Sequence, residues 1–125
     1  MNDNVNHPKH YTQHKYECIQ FTELMTDTLL ANAFKYVWRC DDKGKREEDL
    51  SKALFYMNQY RKHPREMRPR LDSGIGSRLV NMLDGLEITN PKKRILRLFI
   101  VLNCSHFTFH SYEIIKEIET LKGIK

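Results

Sequence analysis

Long apolar runs are scarce in this chain. The most apolar stretch, Ile95–Leu102, is interrupted by Arg97 and is too short to span a bilayer. Met1–Asn6 is polar with no apolar run, so no secretory leader is expected. Cysteine is sparse and odd in number: Cys18, Cys40 and Cys104. No two of them have a metal-ligand spacing, so reduced thiols in a cytoplasmic protein are expected, not a disulfide scaffold. The glycines form no GxxxxGK[ST] loop, which excludes a P-loop kinase, and Gly74 and Gly76 make only an isolated GxG. Acidic pairs at ExxE spacing are also lacking. Asp84–Glu87 is the sole case and it encloses Gly85, so a paired-carboxylate magnesium helix is not expected. No Ser/His/Asp or Cys/His catalytic arrangement, internal repeat or strand-like alternation is present.

What remains is a 125-residue chain, long enough for one domain with its own core. Negative charge is the minority sign: 21 Lys and Arg face 16 Asp and Glu, a net +5. Residues 1–64 hold 10 cations against 9 anions and residues 65–125 hold 11 against 7, so the excess lies mostly in the second half. Such an excess suits an anionic partner, a nucleotide or a nucleic acid, without choosing between them.

The periodicity predicts an all-α fold. An extended arm is expected to about Tyr16, because Pro8 disfavours helix at His7. A short helix follows over Glu17–Met25. The second helix, Thr28–Arg39, has Thr26 and Asp27 as candidate caps and an apolar face of Leu29, Leu30, Ala33, Phe34, Val37 and Trp38. Asp41–Gly44 ends it, with Gly44 suited to a left-handed turn. A third helix over Glu47–Lys62 opens on Glu47, Glu48 and Asp49, where the helix dipole favours negative charge. Its core face is Leu50, Ala53, Leu54 and Met57. The short turn makes helices two and three an antiparallel hairpin. Residues 1–63 therefore form an arm-plus-hairpin unit. Residues 64–76 read as a linker, basic at Arg65, Arg68 and Arg70, then flexible at Ser73–Ser77. Residues 77–125 add helices: one from Ser77 to Leu86, one capped by Asn90 with Pro91 at its first position, and one starting at Ser111. The Ile95–Leu102 helix is apolar on most sides, which predicts burial, in this small chain at a subunit interface. A homo-oligomer is expected.

Four constellations carry chemistry. His7, Lys9, His10 and Tyr11 pack two imidazoles, an ammonium and a phenol into an arm that can hydrogen-bond phosphate and stack on a base. The same residues can instead pin the arm to the domain, and His7, His10 and His14 leave a metal site open. On the second helix Asn32, Lys35, Tyr36 and Arg39 follow an i, i+3, i+4, i+7 stripe. Lys35 and Arg39 can reach one anion, Tyr36 can stack on a base, and Asn32 can read it. The alternative is a solvated face in which these cations pair with acids such as Asp42. On the third helix Asp49, Lys52 and Tyr56 line the neighbouring face. Asp49 serves either the helix start alone or the orientation of a hydroxyl or cation. Finally, Lys92, Lys93, Arg94 and Arg97 crowd the start of a helix, where cations oppose the dipole and either form a basic solvated rim or enlarge an anion site for phosphate or a nucleic-acid backbone.

Taken together, Asn6-His7-Pro8-Lys9-His10-Tyr11, Asn32-Ala33-Phe34-Lys35-Tyr36-Val37-Trp38-Arg39, Lys43 and Glu48-Asp49-Leu50-Ser51-Lys52-Ala53-Leu54-Phe55-Tyr56 resemble a family of small bacteriophage proteins. Most of its members have no known function, and one is a deoxynucleoside monophosphate kinase. The resemblance covers about residues 6–61. It implies a nucleotide-binding protein of the host-cell cytoplasm, with transfer of phosphate from an NTP to a (deoxy)nucleoside monophosphate, with or without magnesium. It implies nucleotide or phosphate contacts at His7, Lys9, His10, Tyr11, Asn32, Lys35, Tyr36, Arg39, Lys43, Asp49, Lys52 and Tyr56. No catalytic residue and no metal ligand is assigned. Phosphoryl transfer depends more on positioning and charge neutralisation than on a covalent catalyst, so a basic groove without a P-loop is compatible with it. The rival reading is a non-catalytic regulator that binds nucleic acid or a host protein through the basic second half, with the last two helices as a helix-turn-helix joined by roughly Ser105–Ser111.

Overall fold

Asp27 starts the best-defined helix. Its carboxylate accepts from the Leu29 and Leu30 backbone N–H groups at 3.0 and 3.2 Å, satisfying donors that a helix start leaves unpaired. The structure, a computed structural model, describes residues 15–42 and 44–123. Six α-helices follow in order: α1 Ile19–Thr22, α2 Thr28–Arg39, α3 Arg46–Arg61, α4 Ser73–Asp84, α5 Asn90–Ser105 and α6 Thr108–Lys122. A 3-10 turn, Arg65–Met67, sits between α3 and α4. Among the described residues there is no strand, so the all-α expectation holds.

Helices α2 and α3 form the most extensive pairing among the described residues. Gly44 makes their turn with φ +67°, the left-handed region that glycine enters without steric cost. The apolar stripe of α2 buries Leu30, Ala33, Phe34, Val37 and Trp38. Phe21 of α1, Phe34, Trp38 and Phe99 of α5 make an aromatic cluster with neighbouring ring centroids 5.4 to 6.1 Å apart, within the range where offset and edge-on rings attract.

Helix α5 is the central post. It packs on α2, α4 and α6 and buries Ile95, Leu96, Phe99, Ile100 and Leu102. Its apolar girth is thus covered within one chain, and no subunit interface is needed to explain it. Buried Asn103 extends this role. Its Oδ1 accepts from Thr26 N–H, its Nδ2 donates to Thr26 Oγ1, and its carbonyl accepts from Leu71 N–H. Asn103 thereby fastens the start of α2 through its side-chain amide and the chain entering α4 through its backbone carbonyl.

Helix α1 covers only Ile19–Thr22 of the expected Glu17–Met25, and α3 and α4 end one and two residues early, at Arg61 and Asp84. Other boundaries also differ from expectation. Ser73–Ser77 is the first turn of α4, not a flexible loop, and Asp72 caps it by accepting from Ile75 N–H at 3.1 Å. Glycine here answers a packing demand, because a Cβ on Gly76 would stand 2.6 Å from Cys104 Sγ on α5. Thr89, not Asn90, occupies the N-cap of α5, without a side-chain cap bond. Helix α6 begins at Thr108, not Ser111, so only His106 and Phe107 link it to α5. The helices beyond the linker pack on the hairpin, α5 against α2 and α6 against α3.

Candidate functional site

The stripe on α2 and the neighbouring face of α3 meet, as the hairpin geometry requires. Tyr36 and Tyr56 stack across the helix pair, with centroids 5.9 Å apart and ring planes 12° from parallel. Three cations surround Tyr36: Lys35 Nζ at 4.9 Å, Lys52 Nζ at 5.4 Å and Arg39 Cζ at 5.7 Å from the ring centroid. The ring quadrupole holds them together at a point where their mutual repulsion would otherwise separate them. Tyr56 occupies one face of Tyr36, so a base can stack only on the other.

The cations differ in their partners. Lys52 pairs with Glu48 at 3.3 Å, an exposed i, i+4 contact of small worth. Lys35 and Arg39 form no ion pair with any described residue. The pairing with Asp42 that a bland surface face would show is not made. Asn32, half-buried on the same face, makes no side-chain hydrogen bond to a described residue. Lys35 and Arg39 both lie close enough to Cys18 to oppose its raised pKa. The chain therefore enters α1 beside the cationic end of α2.

Asp49 is buried, 5% exposed, and makes no ion pair or side-chain hydrogen bond with a described residue. It belongs to a charged cluster at the hairpin turn with Cys40, Asp41, Arg46 and Lys92. Asp41 receives Arg46 at 3.3 Å and Lys92 at 3.7 Å. The buried Nε of Arg46 has no hydrogen-bond partner. Burial pushes the Cys40 thiol up to about 11 and the Cys18 thiol up to about 12, with Lys92 opposing both shifts. These thiols are inert core groups and not nucleophiles.

Lys92 is the residue that sequence reasoning misplaced. Both the solvated rim and the anion site expected of Lys92, Lys93, Arg94 and Arg97 need it in solvent, but it is buried. The rest of that group is also engaged. Lys93 donates to the Asp84 carbonyl, Arg94 pairs with Glu117 at 2.9 Å, and Arg97 pairs with Asp84. The cations at the start of α5 therefore tie α5 to α4, α6 and the hairpin turn. The signal was already in the sequence, since Asp84 and Glu117 stand where helical neighbours of α5 carry acids. Their partners became visible only once α4 and α6 packed on α5.

Of the expected site residues, Asn32, Lys35, Tyr36, Arg39, Asp49, Lys52 and Tyr56 lie on the α2–α3 pair. His7, Lys9, His10, Tyr11 and Lys43, with His14, lie outside the described residues. Among the described residues no group of three His, Cys, Asp or Glu side chains is placed to hold a metal ion, and no helix is long and apolar enough to cross a membrane. No curated protein and no solved structure matches the chain. Residues 5–58, which include α1, α2 and most of α3, match the family described as protein of unknown function, DUF3310.

Proposed function

We propose that the α2–α3 face binds the phosphate-bearing end of a nucleotide, and that the protein transfers phosphate between nucleotides. One observation carries this reading. Lys35 and Arg39, one helical turn apart, converge on Tyr36 without a carboxylate among the described residues to neutralise them. Two adjacent cations held by a ring quadrupole form a receptor for an anion with several oxygens, and the guanidinium supplies a planar fork. The half-buried Tyr36 ring would meet a base on the side away from Tyr56, and Asn32 offers both a donor and an acceptor to it.

In the kinase form of the proposal an oxygen of the (deoxy)nucleoside monophosphate attacks the γ-phosphorus of an NTP. The bond from that phosphorus to the β–γ bridging oxygen breaks, and two nucleoside diphosphates leave. Lys35 and Arg39 neutralise charge on the transferring group, with or without magnesium. The bacteriophage origin and host-cytoplasm setting belong to this reading and rest on the motif resemblance. An expected homo-oligomer would form through surfaces other than α5, and light scattering would size it.

Isothermal titration with dNMPs and NTPs, each with and without magnesium, tests binding. The Arg39→Ala variant should weaken it at least tenfold. Absent binding, or binding indifferent to Arg39, refutes the reading. Diphosphate formation from a dNMP and ATP separates a kinase from a binding protein. The rival reading, a regulator acting through the basic second half, is weakened because Lys92, Arg94 and Arg97 form internal ion pairs and Lys93 donates to the Asp84 carbonyl. Helix α6 carries Glu113, Glu117 and Glu119, which disfavours it as a recognition helix along a phosphate backbone. The basic segment from Arg61 to Arg70 remains for that reading.

A further inference from the structure

Outside the matched residues 5–58, the end of α3, the segment that follows it and the start of α6 enclose a notch of about 140 Å³. Its inner wall is polar and fully engaged. Buried His106, in the left-handed region at φ 54°, donates from Nε2 to the Pro69 carbonyl at 2.7 Å and accepts at Nδ1 from the Tyr60 hydroxyl at 2.8 Å. Arg68 lies over the Tyr60 ring, donates to the Tyr60 carbonyl and pairs with buried Asp27. The wall is a rigid scaffold with its hydrogen bonds closed.

The rim is different. Arg61 stacks on Tyr112 at 4.2 Å and Arg65 on Phe107 at 4.8 Å, and neither forms an ion pair with a described residue. Arg65 reaches only the Ser105 carbonyl, at 3.4 Å. The rings that hold these guanidiniums are themselves in solvent. Phe107 and Tyr112 are each 52% exposed, and Phe109 beside them is 69% exposed. From Arg61 to Arg70 the chain carries five Lys and Arg, with Glu66 the sole carboxylate. Exposed aromatics are costly on a surface that has no use for them, and arginines parked on rings in place of carboxylates keep their full charge.

We propose that this rim is a binding site for single-stranded nucleic acid. The notch has room for one phosphate group, with Arg61 and Arg65 on its oxygens. Phe107, Phe109 and Tyr112 supply faces on which the adjoining bases stack. Alternating cations and exposed rings are the combination that unpaired strands require, because every base has a π-face while only an unpaired base can present it. A duplex buries those faces and would use the cations alone. The site is distinct from the α2–α3 face and uses none of its residues.

The test is fluorescence anisotropy of a labelled oligothymidylate of about twenty nucleotides, beside its duplex, across a range of salt concentrations. The strand should bind more tightly than the duplex. Arg61→Ala with Arg65→Ala should weaken binding at least tenfold and lower the salt slope by about 0.7, the change expected for one phosphate contact on a single strand. Phe107→Ala with Tyr112→Ala should weaken binding at least about thirtyfold with the slope unchanged. Lys35→Ala with Arg39→Ala should leave strand binding intact, which separates this site from the nucleotide site. Arg61, Arg65, Phe107 and Tyr112 are exposed and Lys35 and Arg39 half-buried, and circular dichroism checks that each variant stays folded. The proposal is overturned if no strand binds at low salt, if duplex binds as well as strand, or if the arginine pair proves indifferent. It is also overturned if inorganic phosphate or dTMP saturates the notch while the oligonucleotide does not bind.

Discussion

Replacing Asp27 with alanine removes two interactions at once, and the structure sets the scale of each. The first is the cap of α2, where one carboxylate oxygen accepts from Leu29 and Leu30 N–H. Losing a cap of this kind costs about 1 kcal/mol. The second is the ion pair with Arg68, 2.8 Å long, whose side chains are only 5% and 7% exposed. Removing one partner of a buried pair costs roughly 3–5 kcal/mol, because the remaining charge stays buried. Arg68 retains the Tyr60 carbonyl and ring, which places the loss at the lower end of that range. Asp27→Ala should therefore cost about 4 kcal/mol, a large share of the 5–15 kcal/mol that holds a typical domain folded. Asp27→Ser keeps a capping oxygen and removes only the charge, so it should cost about 3 kcal/mol. In urea, with m near 2 kcal/mol/M, the alanine variant should unfold at a midpoint roughly 2 M lower with m unchanged. The reasoning fails if both variants lie within about 1 kcal/mol of the parent. It also fails if a double-mutant cycle with Arg68→Met shows no coupling between the two positions.

Other expectations follow from single contacts. Gly76→Ala places a Cβ against Cys104 Sγ and should cost about 1–3 kcal/mol by overpacking. Adding Cys104→Ala should recover most of that loss, and thermal melts of the three variants would show it. Burial raises the Cys18 and Cys40 thiols from an ordinary value near 9 to about 12 and about 11. The stabilisation from their protonated forms is complete below pH 9 and is lost as pH climbs from 9 towards 11 and 12. Stability should fall by roughly 1 kcal/mol per thiol by pH 10, measured as urea midpoints at pH 7 and pH 10. Both thiols should also resist alkylation at pH 8 until the protein unfolds. Tyr60→Phe deletes the hydroxyl that serves His106 Nδ1 and should cost about 1–3 kcal/mol for the buried acceptor left unpaired, read by the same denaturation. Gly44→Ala forces a side chain into the left-handed region and should destabilise the hairpin by about 1 kcal/mol.

Some of this protein is local physics and could be read directly from the chain. Helix α2 has its expected bounds, Thr28 to Arg39, because a capping aspartate, an uninterrupted 3.6-residue apolar period and a nearby glycine all act within a few residues. The hairpin follows from the shortness of its turn, and the facing of Tyr36 and Tyr56 follows from the hairpin. That much of the candidate site was legible because its residues repeat on two adjacent helices. Other features were decided by contacts between distant parts of the sequence. Ser73–Gly76 looks like a loop by composition, yet it is helical, capped by Asp72, and its Gly76 is what lets α4 approach Cys104. Lys92 looks like a solvated cation, yet it is buried because α5 delivers it to Asp41 on the hairpin turn. The notch at Arg61 and Arg65 needs Phe107 and Tyr112 from another helix, more than forty positions away. Periodicity shows which face of a helix is apolar. It cannot show which helix that face will meet, so the pairing of charges and rings across helices belongs to the tertiary structure.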